Sequence, residues 1–236
     1  MSAETLSKMK SRGFWRVALR PTLFQADRIP SLSDCERLVA DCKVSLRGWD
    51  YPHYDTMVSG RDYIWSETDW GSKKEAWRFY QSGQFANYFA CPEDWWKEDP
   101  ITSWEAKQYA SGQALEVLMA LFRLTEIYEF AARLAQKDIF GDDLVLTTSL
   151  HGMLERRLIT LHTMLELELY EPVCKMPDLS LEKQLPVKEL LATASELSLD
   201  HALWIFERFN WRDVRKSTGA LDVLRSEQKK LLERRL

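Results

Sequence analysis

Residues 48–55 form a short segment in which aromatic rings alternate with polar side chains, in the order Gly-Trp-Asp-Tyr-Pro-His-Tyr-Asp. Flat rings offer a large contact area and carboxylates accept hydrogen bonds, so this mixture is typical of ligand or peptide recognition. The same rings could instead cover the end of a sheet. The candidate ligand-binding or partner-binding residues are Trp49, Asp50, His53, Tyr54, Asp55 and Arg61.

The sequence contains no local signature of a catalytic or nucleotide-binding site. No nucleophile elbow, phosphate loop or Rossmann glycine pattern occurs, and the nine glycines are not arranged to cradle phosphate. This argues against nucleotide binding but only weakly against catalysis, because many active sites have no local signature. An enzyme with a dispersed site stays an alternative, with Asp50, His53, Asp55 and Arg61 as the first residues to inspect. The sequence predicts no catalytic residue and no cofactor.

Two histidines were weighed as metal ligands. His151 and His162 lie eleven residues apart, and Glu166 or Glu168 could complete a zinc or iron site. The spacing matches neither HxH nor HExxH, and no second cluster is present. We therefore expect a turn residue and a surface residue, and no metal site is predicted.

Two charged clusters are expected to be solvated. Glu105 and Lys107 match half of a metal-dependent nuclease motif, but they begin a predicted helix instead of sharing a strand with an aspartate. Glu155, Arg156 and Arg157 are predicted to face acidic residues of the next strand across a hairpin, where opposite charges pair in water. An anion site is the alternative for this second cluster.

The C-terminal segment is basic, whereas the whole chain has a net charge of −4. From residue 212 onward eight basic side chains stand against four acidic ones, which gives this segment a charge of +4. A helix is expected over residues 217–235, with Ser217 as its cap, and its basic end suits the negative end of the helix dipole. As an alternative function, this helix would contact nucleic-acid phosphates through Arg225, Lys229 and Lys230.

The cysteines and the apolar segments indicate a cytoplasmic protein. The four cysteines form no CxxC pair, and Cys35 and Cys42 are too far apart on a helix for a disulfide, so we expect buried free thiols in a reducing compartment. Residues 1–12 have no apolar core of a secretory signal. Residues 114–134 carry five charged side chains, too many for a membrane span. No membrane contact is predicted.

Period-2 patterns predict strands in the first part of the chain, which also holds eight of the ten tryptophans. The glycine of the dipeptide Ser82-Gly83 suits a two-residue hairpin turn. The predicted elements of this part are strands at 14–20 and 62–67, a helix at 33–43 capped by Ser33, hairpin arms at 76–81 and 84–90, and a loop at 91–103.

A helical period follows, and strands then return. Strict alternation of leucine with polar residues favours a strand with one exposed face over residues 161–170, although leucine and glutamate are good helix formers. The predicted elements of this part are a helix at 104–137, strands at 144–150, 154–160 and 161–170, a proline-bracketed loop at 172–186, and helices at 187–209 and 217–235.

These elements predict an α+β fold: a mainly antiparallel sheet of about six or seven strands, with one long central helix and C-terminal helices packed on one face. Residues 1–210 are expected to form a single domain, followed by the amphipathic basic helix over 211–236. Within the domain we distinguish an aromatic-rich part (13–103), a part with helix and strands (104–171) and a helical part (186–210).

The composition favours an interaction or sensing protein. Tryptophan and tyrosine are enriched at recognition sites, and they are concentrated in the first part of this chain. The expected occupant of this aromatic-rich surface is a protein partner, a second copy of the chain or a small ligand. Nucleic-acid binding by the C-terminal helix and a dispersed enzyme active site remain the alternatives.

Overall fold

The computed structural model has an α+β fold and describes residues 3–161, 172–211, 214–216 and 218–234. Its strands are β1 Phe14–Pro21, β2 Val58–Ser59, β3 Tyr63–Trp70, β4 Lys73–Tyr80, β5 Phe85–Ala90, β6 Ala114–Glu116, β7 Asp143–His151, β8 Arg157–Ile159 and β9 Asp178–Pro186. Its α-helices are α1 Ala3–Lys10, α2 Leu32–Cys42, α3 Trp104–Lys107, α4 Val117–Gln136, α5 Val187–Arg208 and α6 Thr218–Leu232, with a 3-10 helix at Pro92–Trp95.

Seven strands form one antiparallel sheet in the order β2-β3-β4-β5-β1-β7-β9. Apolar side chains alternate along its strands, so one face can be buried against helices. The long helix α4 lies against this face, where Phe130 contacts Phe85 of β5 with ring centroids 4.9 Å apart. The predicted fold class is thereby confirmed.

Helix α4 is apolar on nearly every side because it is covered on nearly every side. Fifteen of its twenty residues are buried. The sheet covers one side, and α5 and α6 cover others. The smaller helix α1 packs on the opposite face of the sheet, where Met9 clusters with Ala76 and Ala90.

The C-terminal helix α6 is docked on the helical layer. Its Leu224 and Leu231 are buried in the main core. The side-chain amide of Gln228 donates hydrogen bonds to Ser198 Oγ at 2.8 Å and to the Ser195 carbonyl oxygen at 2.9 Å. Whether residues 211–236 fold as a unit separate from residues 1–210 stays a prediction.

The predicted hairpin is confirmed as β4 and β5, but its loop has three residues and not two. Tyr80 and Gln84 are joined by a 2.9 Å backbone hydrogen bond, which leaves residues 81–83 as the loop. Gly83 N–H also donates to the Tyr80 carbonyl at 2.9 Å, and Gly83 has a φ of 80°. A tight turn closed by a left-handed glycine therefore replaces the two-residue turn.

The single helix predicted over residues 104–137 is wrong, because the chain forms α3, then β6, then α4. Gly112 has a φ of 83°, a left-handed conformation that breaks a helix. Helix α4 begins only after Glu116, whose carboxylate accepts a hydrogen bond from Met119 N at 2.6 Å. The carboxylate of Glu93 in turn accepts from Glu116 N at 2.9 Å.

The segment predicted at residues 154–160 does not run back along β7. Strand β7 pairs with β1 and β9, whereas β8 pairs in parallel with β6. Arg156 is therefore not on a solvated face: its side chain is buried and lies 2.5 Å from the carboxylate of Asp94. The predicted loop at 172–186 was also wrong in part, because it contains β9, which ends in Pro186 at the edge of the sheet.

The remaining predictions concern two helices, one strand and the absence of a membrane span. The predicted helices at 33–43 and 187–209 are confirmed as α2 and α5, but Ser31 and not Ser33 caps α2, because its Oγ accepts from Asp34 N. The predicted strand at 161–170 lies outside the described residues except for Leu161, as does the Ser217 cap. Within the described part of the chain, no helix is both long and apolar enough to cross a bilayer.

Candidate functional site

A cleft of about 410 Å³ opens where β4, the start of α4, residues 96–106 and the loop before Trp49 meet. Its volume lies within the range of roughly 300–1,000 Å³ that is usual for small-molecule sites. The side chains that line it are a mixture of aromatic rings, basic groups and carboxylates. This arrangement allows both apolar contact and charge recognition.

Two arginines of the cleft share one buried carboxylate. Arg47 binds Glu126 through two hydrogen bonds, Nε to Oε1 at 2.9 Å and Nη2 to Oε2 at 2.7 Å. Arg123 Nη1 lies 3.4 Å from the same Oε2. This Nη1 is buried and has no hydrogen-bond partner among the described residues. The guanidinium of Arg123 also lies 4.6 Å from the centroid of Phe89.

Lys73 supplies a third cation, which rests on aromatic rings. Its Nζ lies 4.1 Å from the centroid of Trp49 and 5.6 Å from that of Trp70. Within the described part of the chain no carboxylate forms an ion pair with it. Burial lowers the pKa of Lys73, and the positive charges of Arg47 and Arg123 lower it further. The indole faces attract the ammonium group and favour its charged form.

Two carboxyl groups beside these cations have opposite electrostatic environments. Burial raises the pKa of Glu75 to about 7, against the opposing effects of Arg123 and of a hydrogen bond from Asn87. Burial alone would raise the pKa of Asp99 too, but hydrogen bonds from Ser72 and Ile101 lower it. The carboxylate of Asp99 accepts hydrogen bonds from the hydroxyl and the N–H of Ser72 and from the N–H of Ile101. These hydrogen bonds join the segments that form the cleft wall.

The mouth of the cleft carries exposed apolar side chains. Ile101 and Leu161 line it and are 68% and 46% exposed. Trp70, which is 47% exposed, stacks on Trp49 with ring centroids 6.1 Å apart. An apolar ligand body would find contact area at this mouth.

Comparisons with models of protein families, with curated proteins and with solved structures find no match to this chain. The cleft's own geometry is therefore the ground for a functional conclusion.

Among the residues predicted from the aromatic segment, Trp49 lines the cleft. Asp50 is turned away from it, with one oxygen 2.7 Å from Lys43 Nζ and the other 2.5 Å from Ser45 Oγ. His53 stacks behind Trp49 with ring centroids 3.7 Å apart. The segment therefore supports one wall and supplies one ring to its lining.

The other predicted residues of this segment lie further from the cleft. The exposed Asp55 is 3.5 Å from His53 Nε2, and burial lowers the pKa of His53. The ring of Tyr54 lies 5.4 Å from Lys43 Nζ and packs edge-on against Trp77. Arg61 is exposed and does not line the cleft. Whether any of them binds a partner stays a prediction.

The basic residues predicted as a nucleic-acid contact are exposed on α6, each beside an acid of this helix or of the residue that follows it. Lys230 Nζ lies 2.6 Å from Glu227, whereas Arg225 and Lys229 are each 4.0 Å from their acidic neighbours. Part of the positive charge is thus balanced locally. Nucleic-acid binding by this helix stays a prediction.

The structure does not bring together the residues considered for a metal site or for a nuclease motif. His151 is part-exposed and lies 3.1 Å from Asp178, while His162 falls outside the described residues. Among the residues that the structure describes, no three His, Cys, Asp or Glu side chains are placed to hold a metal ion. Glu105 and Lys107 lie on α3, and the nearby Asp99 is buried at the cleft wall.

Of the residues that line the cleft, sequence reasoning found only Trp49, and it missed the charged residues Arg47, Lys73, Glu75 and Arg123. One signal was available for Arg123: a charged residue in the middle of an apolar helix must find a buried partner. A second was the spacing of Lys73 and Glu75, which places both on one face of β4. Neither signal shows which other segment completes the site.

Proposed function

We propose that this protein binds a small anionic ligand in the cleft and acts as an interaction or sensing protein. The observation that carries the proposal is the convergence of three cations, Arg47, Lys73 and Arg123, in the lining of the cleft, where Glu126 is the ion-pair partner of both arginines. Arg123 Nη1 has no hydrogen-bond partner among the described residues, and Lys73 rests on rings instead of a carboxylate. Oxygens of a bound anion would satisfy both groups through charge-assisted hydrogen bonds.

The walls suggest the rest of the ligand. Trp49, Phe89 and Trp96 line the cleft, and apolar side chains surround its mouth. A carboxylate, sulfonate or phosphate attached to a flat or apolar body would match both the charges and the rings. A cleft of about 410 Å³ fits a small molecule better than a folded partner, so we favour a ligand over a protein.

The proposal is binding and not catalysis. Both carboxylate oxygens of Asp50, a first candidate for a dispersed active site, are occupied by Lys43 and Ser45. The histidine of that candidate set lies behind Trp49. The cleft itself has cations to hold an anion, and the hydroxyl–carboxylate pair in its lining, Ser72 and Asp99, is held in the cleft wall by backbone hydrogen bonds to Asp99.

Binding of benzenesulfonate, followed by tryptophan fluorescence and by the shift in melting temperature, tests the proposal. We expect the wild-type protein to bind benzenesulfonate and to bind benzyl alcohol and benzylamine far more weakly. Lys73→Gln and Arg123→Met should each weaken binding at least about tenfold, because a hydrogen bond to a charged group contributes roughly 1.5–3 kcal/mol.

The matched control is Arg225→Gln, which removes an exposed cation on α6 and should leave the affinity unchanged. Equal binding of the cation and the anion would contradict the proposal. So would an Arg123→Met variant that remains folded and keeps the affinity of the wild type.

We also propose that the protein works in the reducing cytoplasm. All four cysteines are free and buried, and burial raises the pKa of Cys35 to about 12 and of Cys42 to about 11. Such thiols are poorly reactive in the folded protein. After denaturation without a reducing agent, we expect mass spectrometry to show four alkylated cysteines. A mass lower by two hydrogens before alkylation would reveal a disulfide and contradict the proposal.

A further inference from the structure

The floor of the cleft contains a carboxyl group with few partners. Glu75 lies on β4, two residues after Lys73, so both side chains project from the same face of the strand. Both line the cleft, although Glu75 is only 3% exposed. Asp99 is the other acidic group in the described lining, and its carboxylate already accepts hydrogen bonds from Ser72 and Ile101.

The contacts of Glu75 are those of a group that can hold or release a proton. Asn87 Nδ2 donates to Glu75 Oε1 at 2.7 Å. Within the described part of the chain no cation forms an ion pair with its carboxyl group. Because burial raises its pKa to about 7, both its neutral and its ionised forms are populated at neutral pH.

Among the residues that the structure describes, the charged and titratable groups around Glu75 lie on helix α4, on β4 itself and on the loop that precedes β2. Helix α4 presents Arg123 and Glu126, and β4 itself presents Lys73. The preceding loop presents Tyr51, whose pKa burial raises, and His53, whose pKa burial lowers. The neighbouring strands contribute uncharged side chains. Thr68 of β3 and Phe89 of β5 lie opposite Glu75, and Asn87 of β5 donates the hydrogen bond to it.

We propose that Glu75 binds the ligand as the neutral acid, with its carboxyl O–H donating a hydrogen bond to the anionic group held by Arg123 and Lys73, so that ligand binding is coupled to proton uptake. This inference rests on the proposed anion-binding function. An ionised carboxylate on the cleft floor would repel the anion at short range, whereas a neutral carboxyl group has one O–H to donate. The proton comes from the solvent and stays on Glu75 while the ligand is bound.

The sign of the pH dependence follows from this linkage. The ligand selects the protonated form, so the affinity is highest below the pKa of free Glu75 and falls as the pH rises through about 7. From about pH 6 to pH 8, the affinity should fall about tenfold. The ligand group must itself remain ionised in that range, which suits a sulfonate, a carboxylate or a phosphate.

A ligand that places an N–H donor or a cation on Glu75 would show the opposite behaviour. It would select the ionised carboxylate, and its affinity would rise with pH. The direction of the pH dependence therefore distinguishes an anion from a donor at this position.

Calorimetric titration with benzenesulfonate, whose charge is constant between about pH 5.5 and 8.5, tests the inference. Titrations of the wild-type protein in two buffers of different ionisation enthalpy should show uptake of about half a proton near pH 7, rising towards one proton near pH 8. Glu75→Gln, which resembles the neutral acid, should keep the low-pH affinity of the wild type at every pH and take up no proton.

The matched control is Glu93→Gln. Glu93 is 2% exposed and burial raises its pKa to about 7 as well, but it does not line the cleft: it lines an adjoining cavity of about 10 Å³, which shares Arg47 and Arg123 with the cleft. Glu93→Gln should therefore keep the tenfold pH dependence of the wild type.

Binding that does not change with pH and takes up no proton would overturn the role of Glu75 and leave the proposed anion cleft intact. A pH dependence that persists in Glu75→Gln but vanishes in Glu93→Gln would show that Glu93 takes up the proton. That result would also overturn the role of Glu75. Absence of benzenesulfonate binding at about pH 6, where Glu75 is protonated, would overturn both the role of Glu75 and the proposed function.

Discussion

Replacing Asp94 by Ala is expected to lower the free energy of unfolding by about 3–5 kcal/mol, the usual cost of removing one partner from a buried ion pair. The side chains of Asp94 and Arg156 are 0% and 1% exposed. Arg156 donates to both oxygens of Asp94, at 2.8 and 2.5 Å. The backbone N–H groups of Gly13 and Gly112 also donate to this carboxylate, each at 2.7 Å. The substitution therefore leaves a buried cation, one buried N–H group and one part-buried N–H group without this acceptor.

Lys175→Ala is the control for this prediction, because it breaks an ion pair of similar length at the surface. Lys175 and Glu155 lie 3.0 Å apart, and their side chains are 72% and 63% exposed. Its loss should cost less than about 1 kcal/mol. Urea unfolding followed by tryptophan fluorescence gives both values. An Asp94→Ala variant as stable as Lys175→Ala would contradict the account of the buried pair.

Replacing Glu126 by Gln is expected to destabilise the free protein by about 3–5 kcal/mol and to tighten its binding of anions. The Glu126 side chain is 1% exposed and is the ion-pair partner of both Arg47 and Arg123. Glutamine has the same size but no charge, so two part-buried cations lose their counter-charge. A bound anion would restore it, and benzenesulfonate should therefore raise the melting temperature more for this variant than for the wild type.

Glu129→Gln serves as the control, since Glu129 is a half-buried acid on the same helix that forms no ion pair within the described residues. It should change neither stability nor anion binding appreciably. Melting curves with and without benzenesulfonate measure both effects. If Glu126→Gln loses anion binding while remaining folded, the carboxylate acts by positioning the arginines and not by competing for their charge.

The periodicity of apolar residues was sufficient to predict those helices and strands whose type does not depend on contacts with distant segments. The alternation at residues 14–20 predicted β1, the aromatic arms around Gly83 predicted β4 and β5, and the 3.6-residue pattern at 187–209 predicted α5. The helical period could not show where α4 begins. The helix is capped by the carboxylate of Glu116, and the backbone N–H of Glu116 donates to the carboxylate of Glu93, which lies in a distant segment. Strand partners were equally hidden: β8 pairs with β6, not with its neighbour in sequence.

The site was predictable only where its residues stand together in the sequence. Trp49 belongs to a segment whose composition indicates recognition, and it does line the cleft. Arg47 and Glu126 bind each other across a sequence separation of 79 residues. In the sequence, Glu126 and Arg123 were evidence only against a membrane span. The hydrogen bonds that join them to the cleft are tertiary contacts, which no local pattern contains.

The amide of Gln228 fixes the rotational and axial setting of α6. An apolar stripe of leucines alone could slide along the helical layer or rotate by part of a turn at little cost, because hydrophobic contacts are not directional. A buried carboxamide that must meet Ser198 Oγ and the Ser195 carbonyl permits only one such setting. The charged side of the last helix is consequently presented to solvent in a single fixed orientation.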